Sequence, residues 1–404
     1  MGEEEDEPVE GGVRAMRKSD ERLLVTHVGS LPRGDRLNEL LIRSELGETV
    51  DKATLDTEVE RRVALVFDKQ CELGIDVAND GEQGRVGFQT YVAQRMTGFG
   101  GQSNRPRPRD MADFPDFGKL LAERFPRRGK QFNAPQAIAD VHYKDTSAID
   151  AEVERLGRVA NAAGRSPGDC FMTAPSPGII ASTLINAYYP SHRDYVFALA
   201  REMRNEYAAI TKAGFVLQID APDLAMDRTI GFQEKSEAEF ITAAETIVAA
   251  INSAIEGLPR ERIRLHCCWG NWEGPHTHDI PFASVLPVLE QAKVGALSVE
   301  FGNPRHQHET AVLRRRKLPD HLLLVAGVID TTTNFVEHPE VVAKRLEETV
   351  AAIGERERVI ASTDCGFGTF AGREWVAEDV VWAKLGSLRK GADIASARLW
   401  GKAR

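Results

Sequence analysis

The feature that most constrains the fold is an alternation, along nearly the whole chain, of short apolar runs with amphipathic helical patterns. The helical patterns at 54–74, 236–257 and 338–354 repeat apolar residues at helical spacing, and each of the three ends in glycine. Alternating strands and helices are typical of a parallel sheet. The eight predicted strands are LLVTHVGSL (23–31), IDVAND (75–80), CFMTAPSP (170–177), GFVLQID (214–220), IRLHCC (263–268), ALSVEF (296–301), LLLVAGVID (322–330) and VIASTDCG (359–366).

Eight such units predict an α/β fold of the (β/α)8 TIM-barrel type, with a doubly wound sheet as the alternative. Residues 98–135 break the rhythm because they are rich in Gly, Pro and Arg, and we interpret them as an insertion after the second strand. The acidic start, MGEEEDEPVEGG, predicts a disordered tail over residues 1–20. Residues 21–404 then form one catalytic barrel domain.

The charge balance excludes several classes of partner. The 404 residues include 61 acidic and 51 basic side chains, a net charge of −10, which argues against nucleic-acid binding. No apolar run approaches the roughly 18 residues of a membrane span, and no secretory signal is present. The five cysteines, an odd number, favour a cytoplasmic location with free or metal-bound thiols. The expected partner is a small-molecule substrate, and a barrel of this kind could also form a homodimer.

Polar residues at the predicted strand ends suggest a metal site, because barrels carry their chemistry at the carboxyl ends of the strands. His266 and Cys268 end the fifth strand, Glu300 the sixth and Cys365 the eighth. In an extended segment, His266 and Cys268 point to the same face and Cys267 to the other. The four side chains form a plausible tetrahedral N, S, O, S set for Zn²⁺. Buried structural thiols are the alternative.

The ligand chemistry bears on the reaction. Two thiolates and one carboxylate around Zn²⁺ leave a formal charge of −1, which makes the metal a poor activator of water. Such a site suits an incoming substrate thiol, whose thiolate is the nucleophile. A weakly held Glu300 could leave as the substrate sulfur binds. The pattern therefore favours alkyl transfer to sulfur over hydrolysis.

Other candidates lie at strand ends or in the loops that follow the strands. Titratable side chains suited to acid–base catalysis are Asp220, His276, His278 and Tyr189. Side chains that could shape the pocket or hold an anionic group are Trp269, Trp272 and Arg305. Loop packing of the tryptophans and solvated histidines are the alternatives.

Seven motifs together resemble the cobalamin-independent methionine synthase superfamily, and in particular its short, single-barrel members. They are THVGSLPR (26–33), DGEQGR (80–85), LQIDAP (217–222), LHCC (265–268), LSVEF (297–301), GVID (327–330) and STDCGFGT (362–369). The resemblance covers roughly residues 22–400 and extends to epoxyalkane:coenzyme M transferases.

The resemblance implies that His266, Cys268, Glu300 and Cys365 bind zinc. It also implies that four residues line the substrate-thiol side of the site. Glu82 and Asp220 face the amino group of the thiol in true methionine synthases. The four residues are Val28, Ser30, Glu82 and Asp220.

Three departures from the family pattern concern the folate half of the site. Thr331 stands where true synthases carry a histidine proton donor, and Ala221 stands where they carry an acidic residue. The segment TAPSPGIIAST (173–183) lacks the tryptophan that stacks on the folate. We therefore expect zinc-dependent alkyl or methyl transfer to a small thiol, without folate-dependent methionine synthesis. The alternatives are a zinc-dependent lyase that cleaves a carbon–oxygen or carbon–sulfur bond, and a non-catalytic zinc-binding protein.

Overall fold

The computed structural model describes residues 15–125 and 134–401, and six of its strands form one parallel sheet in sequence order, β3 to β8. The strands are β1 (Met96–Gly100), β2 (Gln136–Tyr143), β3 (Phe171–Pro175), β4 (Val216–Asp220), β5 (Ile263–Cys267), β6 (Ala296–Glu300), β7 (Leu323–Gly327) and β8 (Val359–Ser362). All six sheet strands are buried along their whole length, as expected when helices cover a parallel sheet.

Backbone bonds from two further segments close the sheet into a barrel. Val25 bridges to Ala361 of β8 and Ala78 bridges to Cys170 beside β3, both in parallel. The Asp76 amide donates to the Val25 carbonyl at 2.8 Å and joins the two segments to each other. The predicted (β/α)8 barrel is confirmed, although the first two predicted strands form only isolated bridges.

Side chains replace the strand ladder in these two segments. The Val25 amide donates to an Asp76 carboxylate oxygen at 2.8 Å, and the Asn79 amide donates to Gln70 Oε1 at 2.9 Å. A backbone donor that is satisfied by a side chain cannot also extend a regular ladder. The alternation of apolar runs along the sequence predicts which residues form these two segments, but it does not predict the hydrogen-bond partners of their backbone amides.

The helices flank the barrel strands, and several have strong end signals. Ser236 and Glu239 form a capping box at the start of the helix Glu237–Ala254, and Gly354 ends the helix Pro339–Ile353 with φ 88°. The helices are α1 (Asp35–Glu45), α2 (Lys52–Glu72), α3 (Val92–Arg95), α4 (Asp110–Asp113), α5 (Pro115–Arg124), α6 (Ser147–Ala162), α7 (Pro177–Thr183), α8 (His192–Lys212), α9 (Asp223–Met226), α10 (Glu237–Ala254), α11 (Phe282–Leu289), α12 (Thr310–Arg315), α13 (Pro339–Ile353) and α14 (Glu378–Leu399). Among the described helices, none combines the length and apolar character that a bilayer crossing requires.

The predicted insertion lies between the second barrel segment and β3. The strands β1 and β2 pair as an antiparallel hairpin, and α4 and α5 lie between them in sequence. The predicted range 98–135 includes residues 126–133, which lie outside the described residues.

The start of the described chain contacts one end of the barrel. The Met16 amide donates to the Glu261 carbonyl, and the buried Ser19 hydroxyl donates to the Val359 carbonyl at 2.6 Å. The predicted tail covers residues 1–20, of which residues 1–14 lie outside the described residues. Within its remaining part, Met16 and Ser19 form hydrogen bonds with the barrel.

Candidate metal centre and substrate pocket

Three predicted ligands meet at the carboxyl ends of the strands. The ligand atoms of His266, Cys268 and Cys365 all lie within 4.8 Å of one another, and the three residues are buried. Cys365 Sγ lies 3.8 Å from His266 Nε2. Cys267 packs in the main hydrophobic core instead, as the alternation of side chains along β5 predicts. Cys365, which lies 97 residues after Cys268, joins the other two because the strands end at one edge of the barrel.

The neighbouring strand fixes the orientation of the histidine ring. Asp220 lies opposite His266 in the β4–β5 register, and Asp220 Oδ1 lies 3.0 Å from His266 Nδ1. Gln218 Nε2 donates to the same carboxylate oxygen at 2.7 Å. Because the Asp220 carboxylate is bonded to Nδ1, the other ring nitrogen, Nε2, faces the two thiols. A carboxylate bonded in this way is the usual support for a metal-binding histidine.

The electrostatics of the cluster favour a thiolate. The hydrogen bond from Cys365, reinforced by His266, holds the pKa of Cys268 well below its ordinary value. The same bond and burial raise the pKa of Cys365 well above its ordinary value. Burial opposes protonation of His266, but Cys268 and Asp220 outweigh it and raise the pKa of His266 to about 10. The three side chains give a buried N, S, S donor set, which fits zinc once their protons are released on metal binding.

Glu300 lies beside this cluster with both carboxylate oxygens engaged elsewhere. Oε1 accepts a hydrogen bond from the Trp269 amide at 3.0 Å, and Oε2 accepts one from Asn303 Nδ2 at 3.0 Å. Arg305 Nη2 lies 3.8 Å from Oε2. Among the described residues, the compact donor group contains the histidine and the two cysteines without Glu300. The role of Glu300 as a fourth ligand remains a prediction.

A pocket opens onto the cluster. Its lining includes His266, Cys268 and Cys365 together with the predicted thiol-side residues. Those residues are Val28, Ser30, Glu82 and Asp220. The structure therefore joins the predicted metal ligands, except Glu300, and the predicted substrate residues in one cavity.

Glu82 is the most unusual residue in this lining. It has φ 55°, which a residue with a side chain rarely adopts, and Thr173 Oγ1 donates to its Oε1 at 2.8 Å. Its buried Oε2 has no hydrogen-bond partner among the described residues. Burial, together with the charge of Asp220, raises the pKa of Glu82 to about 7. A buried carboxylate oxygen without a partner is suited to a donor that arrives with the substrate.

The pocket walls include residues that the sequence analysis did not single out. Apolar and aromatic side chains come from several loops, and the insertion contributes Arg105, Pro106, Pro108 and Met111. The available signal was NRPRPR (104–109), but an arginine–proline run is equally typical of an exposed loop. Further apolar and aromatic side chains of the wall that were not predicted include Phe88, Ile179, Met226, Ile230, Phe370 and Trp375.

Trp272 lines the pocket as expected, whereas Trp269 and Arg305 lie behind it. Trp269 is 1% exposed, donates from Nε1 to the Ile280 carbonyl at 2.6 Å and stacks on His306 with ring centroids 4.1 Å apart. Arg305 lies between Glu300 and Asp279, at 3.8 and 3.7 Å. Both residues support the loops around the metal cluster and do not face the cavity.

The three loop residues predicted for acid–base work form hydrogen bonds with residues outside the pocket lining. His276 Nδ1 lies 3.0 Å from an Asp279 oxygen, and His278 Nε2 lies 2.5 Å from Asp113 Oδ2. The Tyr189 hydroxyl donates to Asp140 at 2.6 Å. Of the predicted catalytic group, only Asp220 lies in the pocket.

Fold and site together define an α/β barrel with a buried thiol–imidazole centre at the carboxyl ends of its strands. The sequence profile of the cobalamin-independent synthase catalytic domain matches residues 148–384, more than half of the chain. The chain belongs to this family.

Curated relatives match almost the whole chain at low identity. A protein named methionine synthase from Thermococcus kodakarensis is 24% identical over 373 residues, covering 92% of this chain and 93% of the relative. A protein named 2-hydroxypropyl-CoM lyase from Xanthobacter autotrophicus is 21% identical over 411 residues, covering 95% and 98%. The B12-independent methionine synthase from Shewanella sp. W3-18-1, solved with selenomethionine, shares the fold with TM-score 0.70 at 20% identity, covering 94% of this chain and 99% of that chain.

Proposed function

We propose that this protein catalyses zinc-dependent transfer of an alkyl or methyl group to the sulfur of a small thiol, and that methyl-folate is not its donor. The observation that carries the proposal is the buried His266, Cys268 and Cys365 cluster at one end of a pocket that also holds Glu82 and Asp220. Family membership and relatives named as a synthase and a lyase agree with chemistry at sulfur.

Zinc bound to these residues would hold an incoming thiol as its nucleophilic thiolate. Asp220 keeps the His266 ring oriented toward the thiols, and Glu300 is the nearby carboxylate that would complete the ligand set. The substrate sulfur then forms a bond to the donor carbon, and the leaving group departs with the electron pair of the broken bond. The apolar walls of the pocket limit the access of water to the sulfur.

Glu82 and Asp220 would select a thiol that carries an amino group. Glu82 Oε2, which has no hydrogen-bond partner among the described residues, can accept a hydrogen bond from an ammonium group of the substrate. The carboxylates of Glu82 and Asp220 would both favour the charged form of that amino group. This contact would place the thiol at the strand ends beside the cluster. The donor would then occupy the outer part of the cavity, toward the insertion.

A zinc-dependent lyase is the second candidate. The relative named 2-hydroxypropyl-CoM lyase covers almost the whole chain, and Thr331 replaces the histidine that serves proton transfer in true synthases. In the lyase case the chain would cleave a carbon–oxygen or carbon–sulfur bond in a substrate without an added thiol.

We expect Glu82→Gln to weaken binding of homocysteine to the zinc-loaded protein by about 10- to 150-fold, because a charge-assisted hydrogen bond contributes about 1.5–3 kcal/mol. The same change should hardly affect 4-mercaptobutanoate, which is homocysteine without its amino group. Titration calorimetry measures both constants. Glu154→Gln is the matched control, since its side chain is 73% exposed on α6. Equal loss for both thiols in Glu82→Gln would contradict the amino contact, and failure of both thiols to bind the unaltered protein would contradict the proposed function.

A further inference from the structure

Arg105 is a cation in the pocket wall that the proposed reaction does not yet use. Its Nη2 donates to Ser182 Oγ at 3.1 Å, while its buried Nε has no hydrogen-bond partner among the described residues. No carboxylate within those residues forms an ion pair with it. Burial lowers the pKa of Arg105, and the charge of Asp227 opposes this effect only in part. A half-buried guanidinium whose Nε is buried and which has no carboxylate in contact is suited to an anion supplied by a ligand.

The segment that carries Arg105 is fixed to the barrel on both sides. Ser103 Oγ donates to the Thr183 carbonyl at 3.2 Å and accepts from the Ile185 amide at 3.2 Å. The Arg109 amide donates to the Thr229 carbonyl at 2.9 Å. The prolines at 106 and 108 further restrict the backbone. The position of the guanidinium is therefore set by the fold and not by a freely moving loop.

Ser182, the partner of Arg105, is itself held in place. Its hydroxyl donates to Asp227 Oδ1 at 2.7 Å. Asp227 is therefore connected to Arg105 by a hydrogen bond to Ser182, and its charge reaches Arg105 only over a longer distance. It forms no direct ion pair with the guanidinium. The Ser182 oxygen holds one side of the guanidinium, which leaves its other N–H groups for a ligand.

The cation and the acidic residues of the pocket come from different parts of the fold. Asp220 is the last residue of β4, whereas Arg105 belongs to the insertion and donates to Ser182 near the C-terminal end of α7. Glu82 and Asp220 line the pocket together with the metal cluster, and the arginines of the described lining are Arg105 and Arg373. One cavity thus presents carboxylates from the barrel and guanidinium groups from its loops.

We infer that Arg105, oriented by Ser182, forms an anion-binding subsite that holds a carboxylate, sulfonate or phosphate group of the alkyl donor. The inference rests on the proposed function, because the thiol occupies the part of the pocket beside the metal cluster, Glu82 and Asp220. The planar guanidinium can present two parallel N–H groups to such an anion. The donor class is therefore a small molecule with an alkyl group near the cluster and an anionic group at its far end.

A series of ω-mercaptoalkanoates of increasing length tests the subsite without knowledge of the donor. Its thiol end binds at the zinc-loaded cluster, and its carboxylate reaches Arg105 only when the chain is long enough. Neutral ω-mercaptoalkanols of the same lengths serve as the reference. Titration calorimetry should show a preference for the carboxylate of about 10- to 100-fold that appears at one range of lengths. Terminal sulfonates and phosphonates of the best length then rank the anions.

Arg105→Gln should abolish this preference while the alkanols still bind as before. Arg105→Lys should retain part of the preference for the carboxylate, because lysine keeps the positive charge. It should not retain all of it, because lysine lacks the planar fork of N–H groups. Arg107→Gln is the matched control, since Arg107 is exposed and lines only the neighbouring groove. If alkanoates and alkanols bind the unaltered protein equally at every length, or if Arg105→Gln keeps the preference, the subsite inference is wrong and the thiol site stands. If neither series binds, both the inference and the proposed function are wrong.

Discussion

Replacing Cys268 or Cys365 with serine should remove the metal from the protein. Each sulfur belongs to the buried group whose ligand atoms lie within 4.8 Å of one another, so each substitution removes a ligand. Residues that merely orient metal ligands already affect metal affinity by about 10- to 100-fold, and we expect a larger loss for the ligands themselves. Metal analysis of purified protein, with chelator competition, should give about one zinc per chain for the unaltered protein and little for either variant.

Cys267→Ser supplies the matched control for this experiment. Cys267 is adjacent to Cys268 but packs in the hydrophobic core, so its replacement should lower stability and leave the metal in place. Full zinc occupancy in both Cys268→Ser and Cys365→Ser would rule out the assignment of the metal centre.

Turnover with methyl-folate and homocysteine should be weak or absent. Thr331 stands in place of the family's proton donor, and its hydroxyl donates to Asn271 Oδ1 at 2.9 Å. A positioned general acid contributes about 10²- to 10⁴-fold to a rate, and a threonine hydroxyl does not supply one near neutral pH. The α7 segment carries no tryptophan, and through Thr183 and Ser182 it holds the Arg105 segment instead.

Methionine formation measured by mass spectrometry tests this expectation. The protein must first be shown to be zinc-loaded and to bind homocysteine by calorimetry, so that a negative result reflects the donor and not the preparation. Efficient methionine formation under these conditions would overturn the proposed exclusion of methyl-folate.

The strand-borne half of the site could be predicted from the sequence because strands impose a simple rule. Alternation along β5 places His266 and Cys268 on one face, and a parallel barrel brings Cys365 to the same edge. Both predictions used only local spacing and the order of the strands. The structure shows these three residues in one pocket with Val28, Ser30, Glu82 and Asp220, whose substrate-side role is implied by the family resemblance and not by spacing.

The part of the site that lies on loops could not be predicted, because the partner of a loop side chain depends on which residues the fold brings close to it. His278 pairs with Asp113, 165 residues away, and His276 pairs with nearby Asp279. Neither contact has a periodic signal in the sequence. The same reason explains Glu300, whose strand position was predicted but whose carboxylate bonds to the Trp269 amide and Asn303. Arg105 was missed because only the folded insertion brings it to the pocket.

The central claim is that a substrate thiol binds directly at the zinc-loaded cluster, and zinc absorption-edge spectroscopy with calorimetry tests it most directly. Adding the thiol should bring one further sulfur neighbour to the zinc. Binding should also release a proton, because the pKa of a thiol, about 8.5 when free, falls sharply on coordination. Calorimetry in buffers of different ionisation enthalpy would detect that proton. An unchanged zinc environment, together with turnover that needs no thiol, would contradict the transferase account and support the lyase.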